Sequence, residues 1–202
     1  AGWLAVFPMG QQGATWWDEI GMANIKDLIR TVKREYNVDD NRVNLAGFSD
    51  GASGAYGFAM LDPTEFASFV CLNGHPGVPN EDGRLHTYAS NLKNAAIFSA
   101  FTNQDALYPT ATMSPAVNLM QRAHATLKYR ALQGEHTLSA YRPRDFKYMI
   151  GFMNDNPRRP QSEFVWETAD TNFGEFQWFE IEESDAGAPA RWHNVLNTDL
   201  MD

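Results

Sequence analysis

The stretch "LAGFSDGASGA", residues 45–55, decides how the rest of the chain is read. It sets Ser49 between Gly47 and Gly51, directly after the apolar run Val43–Ala46 and before a run of small residues from Ala52 to Ala59. Strand, then serine, then helix, with glycine two positions either side, predicts a sharp turn that lifts a hydroxyl clear of a sheet edge. Side chains at positions 47 and 51 are expected to collide in such a turn. Gly54 and Gly57 are expected to let the following helix pack closely on the strands. A bare G-x-S-x-G arises by chance in roughly one chain in fifteen of this length, so the surrounding sequence has to carry the reading.

Working outward, "WLAVF" (3–7) is a continuous apolar run stopped by Pro8, the pattern of a strand covered on both faces. A loop holding Trp16 and Trp17 leads to helical periodicity from Asp18 to about Tyr36, with Ile25, Leu28, Ile29, Val32 and Tyr36 on one face. Asp18 and Glu19 at its start and Lys33 and Arg34 near its end suit the helix dipole. Past the "NVDDNR" turn and the opening motif, the rhythm repeats. "FASFVCLNG" (66–74), "AAIFSAFT" (95–102) and "LKYRALQ" (127–133) read as strands, with helices over 115–126 and 145–154. "NPRRPQ" breaks the pattern, and Phe164-Val165-Trp166 with Phe176–Ile181 read as a hairpin whose turn lies near Asn172-Phe173-Gly174. Strands alternating with helices imply an α/β architecture built on a parallel sheet. Residues 1–160 are expected to form the core, with 161–202 a C-terminal hairpin extension of the same domain.

Bulk properties remove several classes of function. The 202 residues suit one domain with a real core, and the net charge of −9 lacks the basic face that a nucleic-acid phosphate backbone demands. No apolar run reaches the length needed for a membrane span. Cys71 is the one cysteine, so no internal disulfide forms, and it reads as a small buried thiol. Metal-ligand spacings are missing, as are the glycine-rich fingerprints of nucleotide sites, so no cofactor and no metal is expected. No signal peptide is visible and the compartment stays open.

A serine hydroxyl becomes a nucleophile only when a base takes its proton, and the base needs an acid to fix its tautomer. The carboxylate of Asp105 follows the 95–102 strand, and the imidazole of His136 follows the 127–133 strand. Parallel strands put both at the carboxyl rim where Ser49 also lies, in the chain order serine, acid, histidine. The competing groups read more simply in other ways. His75 follows a strand and reads as capping a loop in preference to lining the site, His86, His124 and His193 as surface residues, Asp50 as pointing elsewhere on the turn, and Glu135 as facing away from the histidine it adjoins. Trp16, Trp17 and Tyr108 fit either an aromatic wall for a bound acyl or aryl group or ordinary core packing.

Together, "WLAVFPMG" with its "WW" loop, "DDNRVNLAGFSDGASGA", "TNQDALYP" and "GEHT" resemble the α/β-hydrolase superfamily, in its polyhydroxybutyrate-depolymerase and feruloyl-esterase-like branch. The likeness runs from Trp3 to about Arg142. It implies a serine esterase with Ser49 as nucleophile, Asp105 as acid, His136 as base and the Asp50 N–H as an oxyanion donor, acting on a small-molecule or polymer ester. A related prolyl-oligopeptidase type of peptidase, or a hydrolase-shaped binding module without turnover, are the alternatives. The likeness also implies a departure: the chain corresponds to the family's fourth strand onward. The third strand, which sits between the fourth and fifth, is therefore expected from a cleaved segment or a second chain.

Overall fold

The computed structural model describes residues 2–185, 187, 189 and 192–195. Four parallel strands form its sheet: β1 (Asn44–Phe48), β2 (Ser68–Leu72), β3 (Ala96–Thr102) and β4 (Thr126–Leu132), in that spatial order. Each connection carries a helix or helical turns: α2 (Asp50–Leu61) after β1, the short α3 (Val78–Glu81) after β2, and α4 (Ser114–Arg122) after β3. Helix α1 (Glu19–Glu35) precedes the sheet and α5 (Pro143–Asp155) follows it. Parallel strands alternating with flanking helices in this order form an α/β-hydrolase fold.

The alternation of side chains along β2 divides the core in two. Phe69 and Cys71 join Met22 and Ile25 of α1, the apolar face of α2 and Met120 of α4 on one side. Val70 and Leu72 join Phe98, Ala100, Tyr141 and Met149 on the other, under α5. All of β2 is buried and nearly all of β3, whereas β1 and β4 are only partly covered and form the edges. Cys71 is a buried free thiol, and burial pushes its pKa well above the ordinary range. No helix among the described residues is long and apolar enough to cross a membrane.

Helix α1 is bounded as its charges require. The Asp18 carboxylate accepts from the Gly21 N–H, and Lys33 and Arg34 occupy the last turn. Helix α2 begins at Asp50, two residues earlier than the small-residue run suggests. Its glycines do not approach the strands as expected. A Cβ at Gly54 would lie 2.7 Å from Trp16 Cβ, and one at Gly57 would lie 3.1 Å from Pro79 Cγ. They make room for the loops laid over the helix.

Two expectations are corrected here. Residues 3–7 form no strand; the segment is coil, with Trp3, Leu4 and Val6 exposed and Phe7 87 % exposed. A strand exists only where a neighbouring ladder accepts its backbone groups, and among the described residues β1 pairs with β2 alone. The hairpin also lies elsewhere. Its two-residue strands, β5 (Glu175–Phe176) and β6 (Phe179–Glu180), turn at Gln177-Trp178, while Thr171–Phe173 form a 3₁₀ turn held by the Asp170 side chain. Residues 164–166 are coil, satisfied by the core: Asn94 Nδ2 donates to the Val165 carbonyl at 2.6 Å. Next to them, Asn91 Oδ1 accepts from the Glu167 N–H at 2.8 Å.

Candidate active site

Ser49 is the hinge between β1 and α2, with φ 55 and ψ −118. A non-glycine residue in that region carries strain of roughly 1–3 kcal/mol, which the surrounding contacts must hold in place. Its N–H donates to the Leu72 carbonyl at 2.9 Å, and its carbonyl accepts from the Ala52 and Ser53 N–H groups at 3.0 Å each. The turn is tight at one flank only. A Cβ at Gly47 would lie 2.0 Å from the Gly51 carbonyl oxygen, so glycine is required there. A Cβ at Gly51 would meet nothing within 4 Å, which corrects the expected symmetry: the helix turns that position away from the strand. A third glycine completes the close approach, since a Cβ at Gly74 would lie 2.6 Å from the Ser49 carbonyl oxygen.

Asp105 lies in the loop that follows β3 and is 3 % exposed. Burial alone raises the pKa of a carboxyl group. Here hydrogen bonds outweigh it and hold the group below its ordinary value: from the Tyr108 N–H, from His136, from Asn73 and from the Leu107 N–H. The two backbone donors lie 2.8 and 2.7 Å from Oδ1. Oδ2 takes the remaining two.

His136 follows β4 through Gly134, whose φ of 142 and whose absent side chain bring the loop back across the rim. Reciprocal bonds tie this loop to the one carrying Asp105. Gln104 N donates to the Gly134 carbonyl at 2.9 Å, and Gly134 N donates to Asn103 Oδ1 at 3.1 Å. The imidazole spans the gap between the two other side chains. Nδ1 lies 2.7 Å from Asp105 Oδ2, and Nε2 lies 2.8 Å from Ser49 Oγ. An ionised Asp105 fixes the proton on Nδ1 and leaves the Nε2 lone pair facing the hydroxyl. The Phe48 ring packs against the imidazole at 4.8 Å.

Helix α2 starts immediately after Ser49, so the Asp50 N–H is a first-turn donor with no acceptor inside the helix. The aromatic candidates separate. Tyr108 stands beside the site, its ring 6.3 Å from His136 and stacked on His75 at 6.0 Å. Trp17 is 7 % exposed and belongs to the core, and Trp16 packs against α2 at Gly54. His75 serves its loop, Nδ1 accepting from the Gly77 N–H at 3.0 Å, while burial pushes its pKa down. His86, His124, His193, Asp50 and Glu135 are exposed.

Sequence reasoning passed over two residues behind Asp105. Asn73 and Tyr141 are buried, and they join the carboxylate in one hydrogen-bonded group. The available signal was positional: Asn73 is the first residue past β2, as Ser49 is past β1. At the opposite end of the strands, beside Ala96 and Thr126, a cavity of about 340 Å³ is lined by Lys93, Arg158 and Arg159. Ser49, Asp105 and His136 do not border it.

No family model matches the chain. A bifunctional acetylxylan esterase/xylanase of Neocallimastix patriciarum is 33 % identical over 76 residues, which are 36 % of this chain and 11 % of that protein. Among solved structures, a thermostable esterase is similar over 72 % of this chain and 41 % of its own, with TM-score 0.58 and 18 % identity. The S-formylglutathione hydrolase of Staphylococcus aureus is similar over 66 % and 60 %, with TM-score 0.53 and 16 % identity. The Bacillus cereus carboxylesterase is similar over 67 % and 60 %, with TM-score 0.51 and 17 % identity. The chain thus spans a small part of its sequence relative and three fifths or less of these three structures.

Proposed function

From this α/β-hydrolase fold we propose that the chain carries the catalytic residues of a serine esterase, which cleaves carboxylic esters through an acyl-enzyme. The observation that supports the reading best is the unbroken line Ser49 Oγ, His136 Nε2, His136 Nδ1, Asp105 Oδ2, with polar contacts of 2.8 and 2.7 Å. Two of the similar structures above are named as an esterase and a carboxylesterase, and the sequence relative is named as an acetylxylan esterase as well as a xylanase. In this reading residues 1–160 are the hydrolase core and 161–202 an extension of it. The edge of β1 that β2 leaves open is assigned to a strand from a cleaved segment or a second chain.

The steps follow from the geometry. His136 Nε2 takes the Ser49 proton as Oγ bonds to the ester carbonyl carbon, and the carbonyl electron pair moves onto oxygen. The Asp50 N–H stabilises that oxyanion; one such donor is worth on the order of 10²–10³ in rate. The imidazolium returns its proton to the departing alkoxide as the carbon–oxygen bond breaks. Water, deprotonated by the same nitrogen, then attacks the acyl carbon; the bond to Ser49 Oγ breaks, the imidazolium returns its proton to Oγ, and the acid is released. Asp105 keeps the imidazole in the required tautomer and balances its transient charge. Tyr108 is assigned to the wall that receives the substrate. Trp16 and Trp17 keep their packing role.

Stopped-flow hydrolysis of nitrophenyl acetate tests the scheme. The expected record is a burst of about one nitrophenolate per chain followed by steady turnover. Neither burst nor turnover would favour a binding module of hydrolase shape, and faster cleavage of a peptide amide than of the ester would favour a peptidase. The acetylxylan esterase likeness makes acetylated xylan the first polymer to assay.

A further inference from the structure

Asp105 is held by more than the imidazole. Asn73 is fully buried and has φ 50, a left-handed conformation that asparagine tolerates better than most side chains. Its Nδ2 donates to Asp105 Oδ2 and, at 2.7 Å, to Thr102 Oγ1. The Thr102 hydroxyl spends its own proton on the Glu135 carbonyl at 3.1 Å, so its lone pair faces the amide. At the other end, Asn73 Oδ1 accepts from the Tyr141 hydroxyl. An amide has its donors on one side and its acceptor on the other, so this wiring has a single polarity. Reversed, the amide would set an oxygen against a carboxylate in a site closed to water, at a large electrostatic cost.

The acceptor-only carboxylate of Asp105 sets that polarity, and the Tyr141 hydroxyl, which also lies 3.4 Å from the Ala100 carbonyl, holds the amide oxygen in place. Burial, reinforced by the negative charges of Asp105 and Asp145, raises its pKa far above the ordinary phenol value, so it remains a donor. Tyr108, the other phenol bearing on Asp105, is also raised, by burial first and then by nearby carboxylates including Asp50 and Asp105. Both phenols are neutral, and neither adds charge to the Asp105–His136 pair. Through Thr102 the same amide also reaches the carbonyl of Glu135, the residue before His136. One side chain therefore ties together the ends of β2 and β3 and the loop after β4.

We propose that Asn73 and Tyr141 are a pair of positioning residues: Tyr141 orients the Asn73 amide, and the amide fixes the distance between Asp105 and His136. The role rests on the esterase reading given above. The side chains of Asn73 and Tyr141 hydrogen-bond to Asp105, Thr102, the Ala100 carbonyl and each other, and their effect passes through the carboxylate. A buried asparagine that merely satisfied its own polar atoms would alter stability and leave the imidazole undisturbed.

Tyr141→Phe deletes one hydroxyl, and Asn73→Gly deletes the amide while accepting the same φ. With nitrophenyl acetate, kcat is expected to fall about tenfold in Tyr141→Phe and about a hundredfold in Asn73→Gly, with KM within about twofold of the parent, the range of one lost neutral hydrogen bond for the first and of one to a charged group for the second. Proton NMR gives a readout that needs no turnover. The parent should show a sharp low-field resonance for the His136 Nδ1 proton shared with Asp105, and Tyr141→Phe should broaden it into exchange with water. Folded variants that keep both kcat and a sharp resonance overturn the proposal, as does a parent protein without the resonance. If Asn73→Gly does not fold, Tyr141→Phe carries both measurements. A parent that neither hydrolyses the ester nor reacts with a fluorophosphonate removes the esterase reading instead, and the resonance still decides the clamp.

Discussion

The central strands β2 and β3 and the segment 3–7 are both apolar in sequence, yet they end in opposite states. Within these two strands Val70, Phe98 and Ala100 are buried, and both β2 and β3 have neighbours on both edges. Residues 3–7 have as much hydrophobic character and remain exposed coil, because no described ladder receives them. Hydrophobic sequence specifies a wish to be covered; the backbone partner decides whether a strand forms. The same rule explains how side chains far apart in sequence meet at the rim. Paired strands bring their ends into one line, and the loops beyond them are then tied by their own hydrogen bonds.

The comparison can be broken or sharpened by substitution. The largest effect is expected at the rim itself: Ser49→Ala should lower ester turnover by on the order of 10⁴–10⁶, measured with nitrophenyl acetate, while the fold is retained. Packing should divide the two regions next. Phe98→Ala is expected to cost about 3–5 kcal/mol in denaturant unfolding, whereas Phe7→Ser in the exposed segment should stay within about 0.5 kcal/mol. A large loss at Phe7 would mean that the segment is seated against the sheet. Within the elbow, Gly47→Ala should destabilise by more than about 2 kcal/mol, since the added carbon would overlap the Gly51 carbonyl. Gly51→Ala, in open space at a helix start, should change stability by less than about 1 kcal/mol in either direction.

The smallest effect concerns pH. Asp105 titrates below its ordinary value of 3.8 in the folded chain, because hydrogen bonds outweigh burial. A depressed carboxyl contributes stability that is fully present above the unfolded value and is lost as pH falls through the folded one. Unfolding measured from pH 5 downward should therefore show a loss in the parent that is flatter in Asp105→Asn. An equal slope in both would place the acid-sensitive groups elsewhere.

How much of this was legible in the sequence depended on whether the signal was local. Ser49, Asp105 and His136 each stand just past the end of a strand, and parallel topology alone brings such positions to one rim. The helix after Ser49 was legible from its small residues, though its glycines meet Trp16 and Pro79 instead of strands. Asn73 and Tyr141 were hidden because a buried polar pair has no periodicity: their partners are set by burial and lie 68 positions apart in the chain. The hairpin turn was displaced because an Asx-type turn at Asp170 competes for the same turn-forming residues. The run at 3–7 was misread since a strand's partner is never written in the strand.

Peptide mapping by mass spectrometry after reaction with a fluorophosphonate tests the central claim most directly. The account predicts one adduct per chain, on the peptide containing Ser49, formed at least about a hundredfold more slowly when His136 is replaced by alanine. An adduct on another residue, no adduct at all, or an equal rate without the imidazole would contradict it.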